Sequence, residues 1–155
     1  MRKYISLSIL ALTASVAADH PALGGIWVLD PSHSDTGKSK IKAETLSVSQ
    51  QPESVQLLET VTAANGKETT SEIACNTGGE TCKIKDHGQA EVSFWYNGPM
   101  LVMSETRHGN DWAVRRRLKL SDDGRKLNIE IIHLAPTQET ETLTFTRSSA
   151  KSGGA

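Results

Sequence analysis

The sequence predicts an all-β chain, an antiparallel up-and-down meander of about ten strands that closes into a barrel. Three observations carry this reading. After Asp19 no stretch keeps a 3.6-residue apolar period, whereas two-residue alternation of apolar and polar side chains recurs to the end. Asn65-Gly66, Asn97-Gly98, Gly109-Asn110 and Asp123-Gly124 are dipeptides suited to tight hairpin turns, whose central residues take positive φ. The alternating runs between these turns keep their apolar positions in step, which a chance alternation would not do.

The first 18 residues stand apart. Arg2 and Lys3 precede an uncharged stretch from Tyr4 to Ala18 that carries Ile5, Leu7, Ile9, Leu10, Leu12 and Val16 and closes on small residues. This is the pattern of a secretory signal peptide, with cleavage expected after Ala18 or Ala17. The apolar run is too short to span a bilayer. The division expected is therefore a signal peptide at 1–18, a barrel domain at 19–147 and a loose Ser/Gly tail at 148–155. The predicted location is the periplasm or the exterior.

Candidate strands follow at 26–30, 43–50, 54–62, 67–75, 82–86, 90–96, 100–107, 112–121, 126–134 and 140–147. With Asp123-Gly124 central in its turn, Leu120 faces Leu127, Leu118 faces Ile129, Arg116 faces Ile131 and Val114 faces His133. Arg117 then meets Glu130 on the other face. With Gly109-Asn110 central, Leu101 faces Leu118, Met103 faces Arg116, Glu105 faces Val114 and Arg107 faces Trp112. Asn97-Gly98 as the turn centre sets Phe94 against Leu101 and Val92 against Met103. A longer loop around Pro136 sets Leu143 against Ile131, Phe145 against Ile129, Arg147 against Leu127 and His133 against Glu141. One apolar face thus crosses all these strands. With no helix to cover it, the sheet curls into a barrel, the alternative being a two-sheet sandwich.

Cys75 and Cys82 become readable once export is assumed, because thiols oxidise outside the cytosol. They enclose Asn76-Thr77-Gly78-Gly79-Glu80-Thr81, a turn-forming string, so a disulfide stapling a hairpin is expected. A metal site lacks partners at the right spacing, and a redox pair would favour Cys-x-x-Cys.

Gly25-Ile26-Trp27 opens the first strand and Arg147 ends the last. This resembles the G-x-W opening and terminal basic residue of the lipocalin (calycin) superfamily. The longer run from Gly25 to Gly37 is similar to the start of small secreted bacterial lipocalin-like proteins without an assigned role. The resemblance implies that Trp27 closes the barrel base and that Arg147 stacks across it, by cation–π contact and burial of the arginine stem. No threonine-aspartate-tyrosine loop motif and no helical pattern after Arg147 accompany it, so the expectation is a lipocalin-like barrel.

Alternating strand direction puts Trp27, Arg147, Asn97-Gly98 and Asp123-Gly124 at one end. Asn65-Gly66, Gly109-Asn110, the Pro136 loop and the 31–42 connection share the other, the expected mouth, with 31–42 as a lid. Near that mouth Glu105, Arg107, Trp112, Arg116, His133 and Glu141 interrupt the apolar face. A few convergent polar groups on apolar walls suit a small-molecule site. The competing reading is paired charges that merely close the rim. Arg116 is the sharpest of the set, since Arg115 and Arg117 point to the opposite face and either Glu105 or an anionic ligand head must meet it.

Composition narrows the function classes. At 155 residues, 37% apolar and 23% charged, the chain is one ordinary globular domain. A net charge of −1 leaves no footprint for a phosphate backbone or an anionic membrane. Thr36-Gly37-Lys38-Ser39 lacks the first glycine of a phosphate loop, and the five histidines are scattered, so no metal, cofactor or catalytic residue is assigned. The reading is a binder of a small apolar or amphipathic ligand. Alternatives are a barrel enzyme using His133 and Glu141, or an interaction module presenting Trp95, Met100 and Val102 on the outer face.

Overall fold

The computed structural model describes residues 20–36, 40–84, 90–107 and 111–149. The expected signal peptide, the Gly109-Asn110 turn centre and most of the expected tail lie outside the described residues. Ten strands follow one another: β1 (Gly25–Leu29), β2 (Ile41–Gln50), β3 (Ser54–Ala63), β4 (Glu68–Asn76), β5 (Gly78–Ile84), β6 (Ala90–Asn97), β7 (Met100–Arg107), β8 (Trp112–Leu120), β9 (Lys126–Ala135) and β10 (Glu139–Arg147). Hydrogen bonding links them in the order β4-β3-β2-β1-β10-β9-β8-β7-β6-β5, every pair antiparallel. The result is a nearly closed barrel, not a sandwich. First and last strands join through Trp27 opposite Arg147 and Leu29 opposite Phe145.

The register expected for β7–β8–β9 is the one observed, with Leu101 opposite Leu118, Met103 opposite Arg116, Leu118 opposite Ile129 and Val114 opposite His133. Two registers differ from expectation. Asn97 pairs with Met100, so Gly98-Pro99 forms the turn centre and Phe94 faces Met103, not Leu101, while Val92 faces Glu105. Gly98 supplies the positive φ, +56°, at the first central position and Pro99 fixes a negative φ at the second. Between β9 and β10 only residues 136–138 intervene, so His133 faces Glu139, Ile131 faces Glu141, Ile129 faces Leu143 and Leu127 faces Phe145. Each slip is two residues, the period of a strand, so no side chain changes face.

The inner face divides along the barrel axis. Trp27, Leu46, Val48, Val55, Leu57, Phe94, Leu101, Leu118, Leu127 and Phe145 fill the lower part, all buried. Below them residues 20–24 cross the base. Leu23 is wholly buried, its N–H donates to Gln50 Oε1 at 2.9 Å, and its carbonyl accepts from Trp27 Nε1 at 2.8 Å. Arg147 lies across the same base: its guanidinium is 4.1 Å from the Trp27 ring centroid and donates to the carbonyls of Gly24 at 2.6 Å and Ala22 at 3.0 Å. Gly25 has φ +131°, and a Cβ there would fall 2.8 Å from Arg147 Nη1. Only glycine fits both demands.

Cys75 and Cys82 form a disulfide with Cα atoms 6.0 Å apart, but they do not staple a hairpin. Gly78 to Thr81 already belong to β5 and lie along β6, leaving Thr77 alone as the connection. β4 and β5 are the two edges of the sheet, and the disulfide links them covalently where ladder hydrogen bonds are missing.

The 31–42 connection is not a free lid over its described part. Pro31–His33 form a single 3-10 turn capped by Asp30, whose carboxylate accepts from the Ser32 N–H at 3.1 Å. Asp35 exchanges backbone hydrogen bonds with Thr142 at 2.7 and 3.0 Å, and the Thr144 N–H donates to Ser34 Oγ at 2.9 Å. The segment thereby continues the β1 side of the ladder along β10. On the outer face Val102 is buried and Trp95 and Met100 are half-buried, so these three form no exposed patch. The exposed large apolar side chains among the described residues, Val28, Leu58 and Leu134, stand on separate strands.

Candidate functional site

Above the apolar floor the inner face turns polar. Six strands place charged groups there: Glu44 from β2, Glu59 from β3, Glu105 and Arg107 from β7, Arg116 from β8, His133 from β9 and Glu141 from β10. Strand parity explains each placement. Glu44 precedes the inward Leu46 and Val48 by even steps, and Glu59 follows the inward Val55 and Leu57 in the same way.

Arg116 finds a partner from across the barrel. Its Nη1 donates to Glu59 Oε1 at 2.8 Å, so Glu59, not Glu105, meets it. Glu105 is buried and accepts instead from Arg107, at 3.2 Å from Nε and 3.0 Å from Nη2. Arg107 in turn lies 4.4 Å from the Trp112 ring centroid. Arg116 Nε is buried with no hydrogen-bond partner. His133 Nε2 stands 4.0 Å from Glu141 Oε1, a diagonal approach, since Glu139 is the residue directly opposite His133.

The electrostatics centre on two carboxyls. Burial, reinforced by the charge of Glu59, pushes the Glu44 carboxyl up to about 8. Burial acts on Glu59 in the same direction, but Arg116 and hydrogen bonds from Glu44, Arg116 and Ser71 outweigh it and hold Glu59 below the usual carboxylate range. Glu59, reinforced by Glu44 and Glu105, raises Arg116 further above its ordinary value. At neutral pH the arrangement is one proton on Glu44, donated to the Glu59 carboxylate, which also accepts from Arg116.

These groups border an internal cavity of about 170 Å³, lined by Ile41, Glu44, Glu59, Val61, Trp112, Val114, Arg116, Ile131, His133, Glu141 and Leu143. Of the six residues singled out from the sequence, Trp112, Arg116, His133 and Glu141 line it. Glu105 and Arg107 form a neighbouring pair that does not. Glu44 and Glu59 were missed, although the parity of 43–50 and 54–62 marks both as inward. A larger recess of about 550 Å³ lies outside the barrel, open to solvent, between Pro52-Glu53, the Asn76–Gly78 corner and Trp95-Tyr96. It is remote from the charged cluster. No group of three or more His, Cys, Asp and Glu among the described residues has metal-holding geometry.

Solved structures share this fold, a ten-stranded antiparallel barrel with a plugged base and a seam between its fourth and fifth strands. A fatty-acid-binding protein 1 from Echinococcus granulosus superposes with a TM-score of 0.62 at 11% identity, covering 83% of this chain and 98% of its own. A secretory abundant heat soluble protein from Ramazzottius varieornatus gives 0.63 at 7% identity, covering 84% and 98%. A Schistosoma mansoni fatty acid binding protein in complex with arachidonic acid gives 0.57 at 14%, covering 81% and 96%. No family model and no curated protein matches the sequence. At such low identities the likeness is one of fold.

Proposed function

We propose that this chain is an exported binding protein that holds a small apolar or amphipathic molecule inside its barrel. The observation that carries the reading is the internal cavity of about 170 Å³, whose walls combine Ile41, Val61, Val114, Ile131 and Leu143 with a few convergent polar groups. Cavities of roughly 150 Å³ accept a molecule the size of benzene. Solved barrels of the same fold include fatty-acid-binding proteins, one of them in complex with arachidonic acid, which supports an interior ligand here. A signal-peptide pattern over residues 1–18 and a disulfide at Cys75–Cys82 support export to an oxidising compartment.

Mass spectrometry of the purified protein tests both parts. The denatured mass is expected to lack the leader and two hydrogens. The native mass is expected to carry an adduct lost on organic extraction, and the extracted protein to bind the neutral probe 1-hexanol saturably. A protein with neither adduct nor saturable uptake of 1-hexanol refutes the binding reading, and a denatured mass that retains residues 1–18 refutes export.

A further inference from the structure

We infer that the cavity takes ligands whose polar head is a cationic ammonium group, and that it rejects carboxylates of the same size. This rests on the binding reading above and adds the class of head group. The cavity lining holds three carboxyl groups, Glu44, Glu59 and Glu141, against the single guanidinium of Arg116, with His133 beside Glu141. The guanidinium is already engaged, since Glu59 occupies its Nη1 at 2.8 Å. The second guanidinium nearby, Arg107, is engaged by Glu105 and stacked on Trp112. An anionic head reaching the unpartnered Arg116 Nε would lie alongside the Glu59 carboxylate on the same guanidinium. In a low-dielectric interior such like-charge crowding is costly.

An ammonium head meets the opposite field. Glu59 and Glu141, on β3 and β10, line the cavity with Glu44 between them in the sheet order, and a carboxylate has lone pairs to accept from an N–H donor in addition to the partners it already holds. The apolar walls Ile41, Val61, Val114, Ile131 and Leu143 then receive the hydrocarbon body. Charge balance adds a signature. Glu44 keeps its proton in the empty barrel because burial and Glu59 act on it, with Arg116 opposing and Glu141 reinforcing. A bound cation replaces that proton electrostatically, so binding is accompanied by proton release. Glu105, Arg107 and His133 also stand near this end of the inner face, and the charges that act on Glu44 are those of Glu59, Arg116 and Glu141.

The test is a calorimetric titration of the purified protein at pH 7 with n-hexylammonium, 1-hexanol and hexanoate, three probes of one length that differ in the head. The expected order is ammonium first, tighter than hexanoate by roughly tenfold or more. Repeating the titration in buffers of different ionisation enthalpy is expected to show proton release for the ammonium and none for the alcohol. Glu44→Gln is expected to abolish that release. Equal affinity for ammonium and alcohol, or tightest binding of hexanoate, overturns the head-group assignment while saturable 1-hexanol binding leaves the binding reading standing. Failure of all three probes overturns both. The comparison among probes uses the unaltered protein, so it does not depend on the folding of any variant.

Discussion

Glu44→Gln makes this barrel more stable in mild alkali while leaving it nearly unchanged in mild acid. In the native state the Glu44 carboxyl titrates near 8, against a reference of 4.5. A raised value means that the folded protein binds the proton more tightly than the unfolded chain does. The associated stability is therefore fully present below about pH 4.5 and is lost as the pH climbs through 8. Each unit of separation corresponds to about 1.4 kcal/mol, so the full interval has a ceiling near 5 kcal/mol. Coupling to Glu59 lets the pair share part of this, and roughly 2 to 4 kcal/mol is the loss expected between pH 5 and pH 8.5. That is a large part of the 5 to 15 kcal/mol typical of a domain. Glutamine is neutral, has nearly the same shape, and its amide N–H can donate to Glu59 as the protonated carboxyl does. Urea unfolding followed by tryptophan fluorescence at half-unit steps from pH 5 to 9 measures both proteins. The two proteins differ only at residue 44, so the difference between their curves reports on Glu44. A difference curve that stays flat across this range would refute the assignment of the proton to Glu44.

Three further outcomes follow from the same geometry. Arg116→Leu strands Glu59 without its cation and is expected to cost roughly 2 to 4 kcal/mol, less than a fully dry pair because both side chains retain some exposure; the double variant with Glu59→Gln recovers much of it, and a double-mutant cycle in urea with no coupling contradicts the pairing. Opening Cys75–Cys82, by reduction or by paired Cys→Ser substitution, is expected to cost about 2 to 3 kcal/mol by chain-entropy reasoning, and deuterium exchange should accelerate first in β4 and β5, the two sheet edges; uniform exchange along the sheet would count against a seam. Gly25→Ala forces an unfavourable positive φ and a contact with Arg147, for a loss of about 1 to 3 kcal/mol in thermal unfolding; an unaltered Tm would show that the base closure tolerates a Cβ.

Much of this molecule is legible without coordinates, because a barrel of sequential hairpins is encoded locally. The period of two assigns each side chain to a face, and the Asp123-Gly124 turn places Leu118 opposite Ile129 without knowledge of any distant strand. Parity also survives error. Taking Asn97-Gly98 as the turn centre where the chain uses Gly98-Pro99 moves Phe94 from Leu101 to Met103, but leaves all three inside. The same holds at Pro136, where His133 and Glu141 remain on one face although they are not direct neighbours. Arg116, Trp112, His133 and Glu141 were readable as polar interruptions of an apolar face for that reason.

What local patterning cannot encode is contact between strands far apart in the sequence. The partner of Arg116 is Glu59, 57 residues away and on the opposite wall, where only closure of the barrel brings them together. Whether Cys75 and Cys82 span a hairpin or a seam depends on which neighbours β4 and β5 choose, and both pair with strands on their far sides. The sequence by itself determined most of the strands, the facing of their side chains and the Asp123-Gly124 turn, since these follow from backbone sterics and a two-residue period. Tertiary structure alone decided the occupied guanidinium, the protonated Glu44 and the size of the cavity, because burial and charge are set by the whole enclosing wall and not by any one strand.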